Sequence, residues 1–188
     1  MMKTALIIIA VVVVLAIIYA VIYNGLVQLR THAQESWSQI DVQLQRRNDL
    51  IPNLISTVKG YSKYEGGVLT KVTQLRSELN DVSDSDHAKK MEVSNALSGT
   101  LKSLFAVAEN YPDLKASTEY QQLMEELSNT ENKIAYSRQL YNSTVATLNA
   151  RVQSFPVNIV AKLQGFSQMD YLKVPAESKT VPKVNFDD

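Results

Sequence analysis

Apolar residues follow two different patterns along the chain, and the first is an unbroken run. The run, ALIIIAVVVVLAIIYAVIY, covers residues 5–23 and contains no charged side chain. At 1.5 Å per residue, a helix of this length roughly matches the ~30 Å hydrocarbon core of a bilayer. A cleaved signal peptide is the competing interpretation, but the run is longer than a signal core and no A-x-A step precedes Asn24. Residues 1–23 are therefore predicted to form a transmembrane anchor.

The second pattern begins after the anchor, where apolar residues recur at alternating steps of three and four. Such spacing is typical of helices with one buried stripe, and no segment shows a sustained alternation of period two. The first stripe contains Leu26, Leu29, Ala33, Trp37, Ile40 and Leu44. The pattern predicts an all-α protein, in which the transmembrane helix is followed by an antiparallel up-down four-helix bundle over residues 24–166. Trp37 is predicted to lie in its core.

Prolines and turn-forming residues set the predicted helix boundaries. The segment DVSDSD at 81–86, Pro112 and Pro156 each favour a break. With a further turn at Pro52, the predicted helices cover roughly 24–48, 52–80, 87–109 and 118–153.

Pro52 admits two interpretations, a turn or a kink within one longer helix, because the apolar spacing passes through it with little phase error. Under the turn interpretation the four helices would be about 37, 43, 34 and 54 Å long. The first three lengths match, which favours the turn. The excess length of the fourth helix has no place in that arrangement.

The segment VNIVAKLQGF, which follows Pro156, predicts a short helix that ends at a glycine cap on Gly165. A helix that caps the open end of the bundle is favoured over an amphipathic helix at the lipid surface, because the segment carries one lysine and little other charge. Residues 167–188 lack periodicity and are predicted to be an extended or disordered tail.

Composition and charge exclude several classes of function. Lysine plus arginine and aspartate plus glutamate number 19 each, so no overall basic field favours nucleic acid. The chain has no cysteine, and its two histidines, His32 and His87, do not form the E-x-x-H pairs of a bundle di-iron site. Phosphate-binding glycine motifs are missing as well. We therefore predict no catalytic, cofactor-binding or metal-binding residues.

Three charged residues fall in or near the apolar stripes: Glu65, Glu131 and Arg138. One interpretation is a partly buried ionic layer, in which Arg138 pairs with at least one of the two carboxylates. A half-exposed edge of a drifting stripe is the simpler alternative. Paired carboxylates in an active-site cleft are a third.

A second charged group is predicted at the end of the bundle farthest from the membrane. Arg46 and Arg47 precede the predicted turn at Pro52, and Asp113 is expected at the same end. The group is interpreted either as a docking surface for a partner protein or as an ordinary solvated end.

Several long strings resemble the LemA family over nearly the whole chain. They are YNGLVQLR, SWSQIDVQLQRRNDLIPNLISTVKGY, YEGGVL, FAVAENYPDLKAS, ELSNTENKIAYSRQLYN and FPVNIVAKLQGF. Tyr64 stands where this family often has histidine, and Ser36 where alanine is usual. The resemblance implies a bacterial inner-membrane or plasma-membrane protein with an N-terminal anchor and a helical bundle. It also implies relatives associated with membrane metalloproteases and magnetosome membranes, without an established catalytic role.

The functional expectation is a non-enzymatic, single-pass scaffold that self-associates or recruits partners within the membrane. Its expected partners are the lipid bilayer, further copies of the chain and other membrane proteins. The alternative is an adaptor or regulator of a membrane protease in membrane quality control. The side of the membrane that the domain occupies stays open, since Lys3 and Arg30 give about one positive charge to each flank.

Overall fold

The computed structural model describes residues 2–61 and 66–173, and within them every regular element is an α-helix. The all-α prediction is confirmed. The helices are α1 (Met2–Tyr61), α2 (Gly66–Asp81), α3 (His87–Ala108), α4 (Pro112–Ala116), α5 (Thr118–Gln153) and α6 (Val157–Leu163). The breaks predicted at 81–86, Pro112 and Pro156 coincide with the ends of helices.

The predicted turn at Pro52 is wrong, because α1 continues through this residue to Tyr61. Proline has no N–H, so the carbonyl oxygen of Asn48, four residues earlier, loses its usual helical partner. Arg76 of α2 replaces that partner, since its Nε donates to the Asn48 carbonyl oxygen at 3.3 Å. The proline is therefore accommodated inside the helix.

The length of the continuous helix α1 agrees with the length of α5. Once α1 continues past Pro52, its part from residue 24 to Tyr61 is about 57 Å long at 1.5 Å per residue. The 36 residues of α5 give about 54 Å. The length of the fourth predicted helix, which had no place in a bundle of four equal helices, is thus matched by that of α1.

The chain divides into two compact units, and α1 and α5 contribute to both. Unit 1 contains residues 2–41 and 134–171. In it, Trp37 is buried and packs edge-to-face on Tyr141, with ring centroids 6.2 Å apart, which confirms the core position predicted for the tryptophan. A second cluster joins α1, α5 and α6 through the buried residues Leu26, Leu148 and Ala161.

Unit 1 also contains the segment that follows α6. Gly165 has a positive φ of 70°, and the Phe166 N–H donates to the Ala161 carbonyl at 2.9 Å, which is the predicted glycine cap. Beyond it, the Asn149 side chain of α5 exchanges two hydrogen bonds of 2.9 Å with the backbone of Met169. The first residues of the predicted tail are therefore held on α5, whereas residues 174–188 lie outside the described part of the chain.

Unit 2 contains the main hydrophobic core, formed by residues 42–61 and 66–133. Helices α2 and α3 form a hairpin through residues 82–86, where Asp86 caps α3 by accepting from the Lys89 N–H at 2.9 Å. Side chains of α1, α2, α3 and α5 meet in the core, and Leu114 of α4 joins them. Its fully buried members include Ile51, Leu54, Val58, Val72, Leu97, Leu104 and Leu114.

Candidate functional site

The core of unit 2 contains a buried arginine, Arg47 of α1, with only 1% of its surface exposed. Its burial follows from the helical spacing. Leu44 and Ile51 are buried three residues before it and four residues after it, so all three share one face of a continuous helix. Arg47 therefore occupies a position in the apolar stripe that would ordinarily be filled by an aliphatic side chain.

Short polar side chains from two other helices surround the Arg47 guanidinium. Its Nη1 donates to Glu131 Oε2 of α5 at 2.6 Å and to Ser98 Oγ of α3 at 2.6 Å. Its Nη2 donates to the Ser94 hydroxyl and to the Ser94 carbonyl oxygen, the latter at 3.3 Å. Ser98 also donates to the same Glu131 oxygen, at 2.7 Å. We call Arg47, Ser94, Ser98 and Glu131 the Arg47 network.

The electrostatics of the network are asymmetric. Burial lowers the pKa of the Arg47 guanidinium from its ordinary value, and the charge and hydrogen bond of Glu131 act in the opposite direction. Arginine stays protonated in proteins, so the core holds a permanent positive charge. The Glu131 side chain is 38% exposed and connects that charge with the surface. Among the described residues, no acceptor lies within hydrogen-bond reach of Arg47 Nε.

A second polar group lies next to the network, around the accommodated proline. The Asn48 side chain is buried and donates to Asn80 Oδ1 of α2 at 2.7 Å, while the Asn48 carbonyl accepts from Arg76. Together with the Arg47 network, these contacts tie α1 to α2, α3 and α5. Directional polar contacts of this kind fix the register of packed helices more reliably than they add stability.

One residue of the predicted ionic layer, Glu131, takes part in the Arg47 network. It belongs to a partly buried ion pair with Arg47. Arg138 is itself buried, on the part of α5 that belongs to unit 1. Glu65 lies outside the described residues.

The predicted docking end needs correction for the same reason as the turn. Since α1 continues to Tyr61, Arg46 and Arg47 lie well before its end. Arg47 is buried, and only Arg46 is exposed, where it donates to Glu126 of α5 at 2.7 Å. Asp113 is exposed in the first turn of α4. The structure therefore separates Arg47 from the surface on which the sequence placed it.

Sequence reasoning missed Ser94, Ser98 and the role of Arg47, although one signal was available. Continued without a turn, the three-four spacing runs from Leu44 through residue 47 to Ile51. That phase places a charged side chain inside the stripe. The serines four residues apart on α3 offer no such signal, because serine is equally common on exposed faces.

Unit 2 also has an open groove of about 530 Å³ along α5. Its lining is polar and acidic and consists of Asn53, Glu119, Gln122, Leu123, Glu125, Glu126 and Asn129. Within residues 2–61 and 66–173, no three histidine, aspartate or glutamate side chains are grouped in a way that would hold a metal ion.

Comparison with known proteins gives one family and several relatives. The model of the LemA family matches residues 36–186. The chain is 30% identical to Protein LemA of Metamycoplasma hominis over 139 residues, which cover 74% of this chain and 63% of that protein. It is 23% identical to Magnetosome protein MamQ of Magnetospirillum gryphiswaldense over 173 residues, which cover 79% and 64% of the two chains. It is 24% identical to Magnetosome protein MamQ 2 of Paramagnetospirillum magneticum over 197 residues, which cover 90% and 72%. The chain thus spans somewhat less than two thirds of the first two relatives.

Proposed function

This chain belongs to the LemA family, and we propose that it is a non-enzymatic, single-pass scaffold of the bacterial inner or plasma membrane. In this proposal residues 5–23 anchor the chain in the bilayer. The helical part then self-associates or recruits other membrane proteins. The relatives named as magnetosome proteins support a role in membrane organisation.

The observation that carries the proposal is the exposed apolar surface of the first part of α1. Every residue from Met2 to Val21 is exposed, and most are large aliphatic side chains. Within the described residues, this helix is the one long and apolar enough to cross a membrane. An apolar surface of this size is costly in water and calls for a lipid environment.

The way in which the anchor joins the core supports a scaffold. No loop separates them, because α1 is one helix from Met2 to Tyr61 and contributes Ile51, Leu54 and Val58 to the core of unit 2. A tethered domain meets its neighbours at a high effective concentration, so weak lateral contacts suffice for assembly. The Arg47 network supports a structural role, since its hydrogen bonds join α1 to α3 and α5.

The size of the solubilised particle tests the proposal. We expect full-length protein in mild detergent to form an assembly larger than one chain, whereas the same chain without residues 1–23 forms a smaller one. Light scattering coupled to size-exclusion chromatography measures both masses. A monomer in both preparations contradicts self-association. It would favour the alternative, an adaptor of a membrane protease that engages its partner through a surface such as the acidic groove of unit 2.

A further inference from the structure

The short helix α6 has two faces with opposite surroundings. Val160 and Ala161 are buried, and Ala161 packs with Leu26 and Leu148 in unit 1. On the other side, two large apolar residues four positions apart are strongly exposed, Ile159 at 53% and Leu163 at 72%, and Phe155, two residues before the helix begins, is exposed at 80%. The packed face explains why the helix forms, but it leaves the second face without a function.

The position of α6 in unit 1 indicates what covers that second face. Gln164, directly after the helix, donates to the hydroxyl group of Tyr19, and Phe166 packs edge-to-face on Tyr23 with centroids 6.0 Å apart. Ile22 belongs to the same cluster. All three α1 residues lie in the last turn and a half of the apolar run. The end of α6 is therefore level with the end of the proposed membrane span.

The chemistry of the surrounding side chains fits the boundary between lipid headgroups and acyl chains. Tyr19 and Tyr23 are both partly exposed, and tyrosine is enriched at that boundary because its ring is apolar and its hydroxyl is polar. Lys162 is exposed on α6, where its aliphatic part can lie along lipid while the ammonium group reaches the headgroups. An exposed apolar face beside basic and aromatic side chains is typical of helices that lie in the interface plane.

We propose that α6 is an interfacial segment, which inserts Ile159 and Leu163 into the leaflet at the C-terminal end of the transmembrane run, with the exposed Phe155 directly before it. The sequence favoured a helix that only caps the bundle. In this proposal the chain has a second contact with the membrane, beside the transmembrane helix. The segment would fix the depth and the rotation of α1 in the bilayer, since it is attached to one side of that helix. The proposal rests on the proposed anchoring by residues 5–23.

Site-directed fluorescence on the full-length protein tests this proposal, and the absence of native cysteine makes single labels clean. The label NBD is attached to I159C, and the protein is reconstituted into vesicles of phosphatidylcholine and phosphatidylglycerol. Nitroxide-bearing lipids, with the nitroxide near the headgroup or near the end of the acyl chain, quench the dye. We expect a blue-shifted emission and stronger quenching by the shallow nitroxide than by the deep one.

Two matched positions give the controls. Tyr136 is also a large exposed residue of unit 1, but it lies far from the proposed interface. It is on α5, five residues before Tyr141, and Tyr141 contacts Trp37. Trp37 in turn lies about 21 Å along α1 from Tyr23. A label on Y136C should be quenched several-fold less than one on I159C. A label on V13C, in the middle of the apolar run, should be quenched most by the deep nitroxide.

The outcomes separate the two proposals. Quenching at residue 13 without quenching at residue 159 overturns the interfacial segment and leaves the anchor intact. The lack of quenching at both positions overturns both. Blue-shifted emission at residue 159 that lipid nitroxides do not quench, together with crosslinking between two I159C chains, shows that a second copy covers the face and also overturns the proposal.

Discussion

Glu131→Gln is the change that most directly tests the Arg47 network. It keeps the size of the side chain and removes the negative charge that faces a guanidinium with 1% of its surface exposed. Breaking a buried ion pair by removing one partner costs about 3–5 kcal/mol. The Glu131 side chain is 38% exposed, so water can replace part of the lost interaction, and we expect the free energy of unfolding to fall by about 2–3 kcal/mol.

Removing the other partner of the ion pair should lower the free energy of unfolding by less. Arg47→Met removes the buried charge and fills much of its volume with an apolar side chain, while Glu131 can turn towards water. We expect this variant to lose about 1 kcal/mol or less of its free energy of unfolding. The double variant should lose about 1–2 kcal/mol less than the sum of the two single losses. Chemical unfolding of the full-length protein in detergent, followed by far-UV circular dichroism, measures all four free energies.

A neighbouring surface pair supplies the control for that cycle. Arg46 and Glu126 are joined by a 2.7 Å contact, but each side chain is nearly half exposed. Their coupling should therefore stay within about 0.2–1 kcal/mol. If Arg47→Met and Glu131→Gln are additive within about 0.5 kcal/mol, the two residues do not act as a buried pair and the assignment of the network is wrong.

Three further variants test other parts of the fold. Trp37→Ala should lower the free energy of unfolding by about 3–5 kcal/mol, and an unchanged denaturation midpoint would contradict its core position. Arg76→Met should lower the free energy of unfolding by about 1–2 kcal/mol in the native chain, but clearly less in a Pro52→Ala background, because the alanine N–H can again bind the Asn48 carbonyl. Equal losses in both backgrounds would refute the role of Arg76 as the replacement donor. Burial, and secondarily the charge of Asp170, raises the pKa of Tyr141. The folded state thus retains this proton longer than the unfolded state, so the stabilisation is complete below pH ~10 and is lost as the pH rises through the higher folded pKa. Tyr141→Phe should flatten that alkaline loss, and an identical pH profile would contradict the shift.

The fold could be predicted from the sequence wherever local chemistry decides the structure. The three-four spacing indicated helices, the DVSDSD segment and Pro112 marked real ends, and Gly165 marked a real cap. Each of these signals acts within a few residues. They need no knowledge of which helices pack together.

The wrong predictions for Pro52 and Arg47 have one cause, because both depend on a contact between distant parts of the chain. Pro52 is tolerated within α1 since Arg76, 28 positions from Asn48, supplies the missing hydrogen bond. With a turn assumed at Pro52, Arg47 was assigned to an exposed end, although its position in a continuous stripe places it in the core.

A distance across Pro52 tests most directly the continuous helix that joins the proposed anchor to the core. Gln45 and Lys59 are both exposed on α1, 14 residues apart, and the cysteine-free chain allows spin labels at only these two positions. A continuous helix predicts a separation between the two positions of about 21 Å along the axis, measured by pulsed electron paramagnetic resonance on full-length protein in a bilayer. A hairpin at Pro52 would instead bring the two segments side by side, so a distribution centred near the ~10 Å spacing of packed helices would contradict the account.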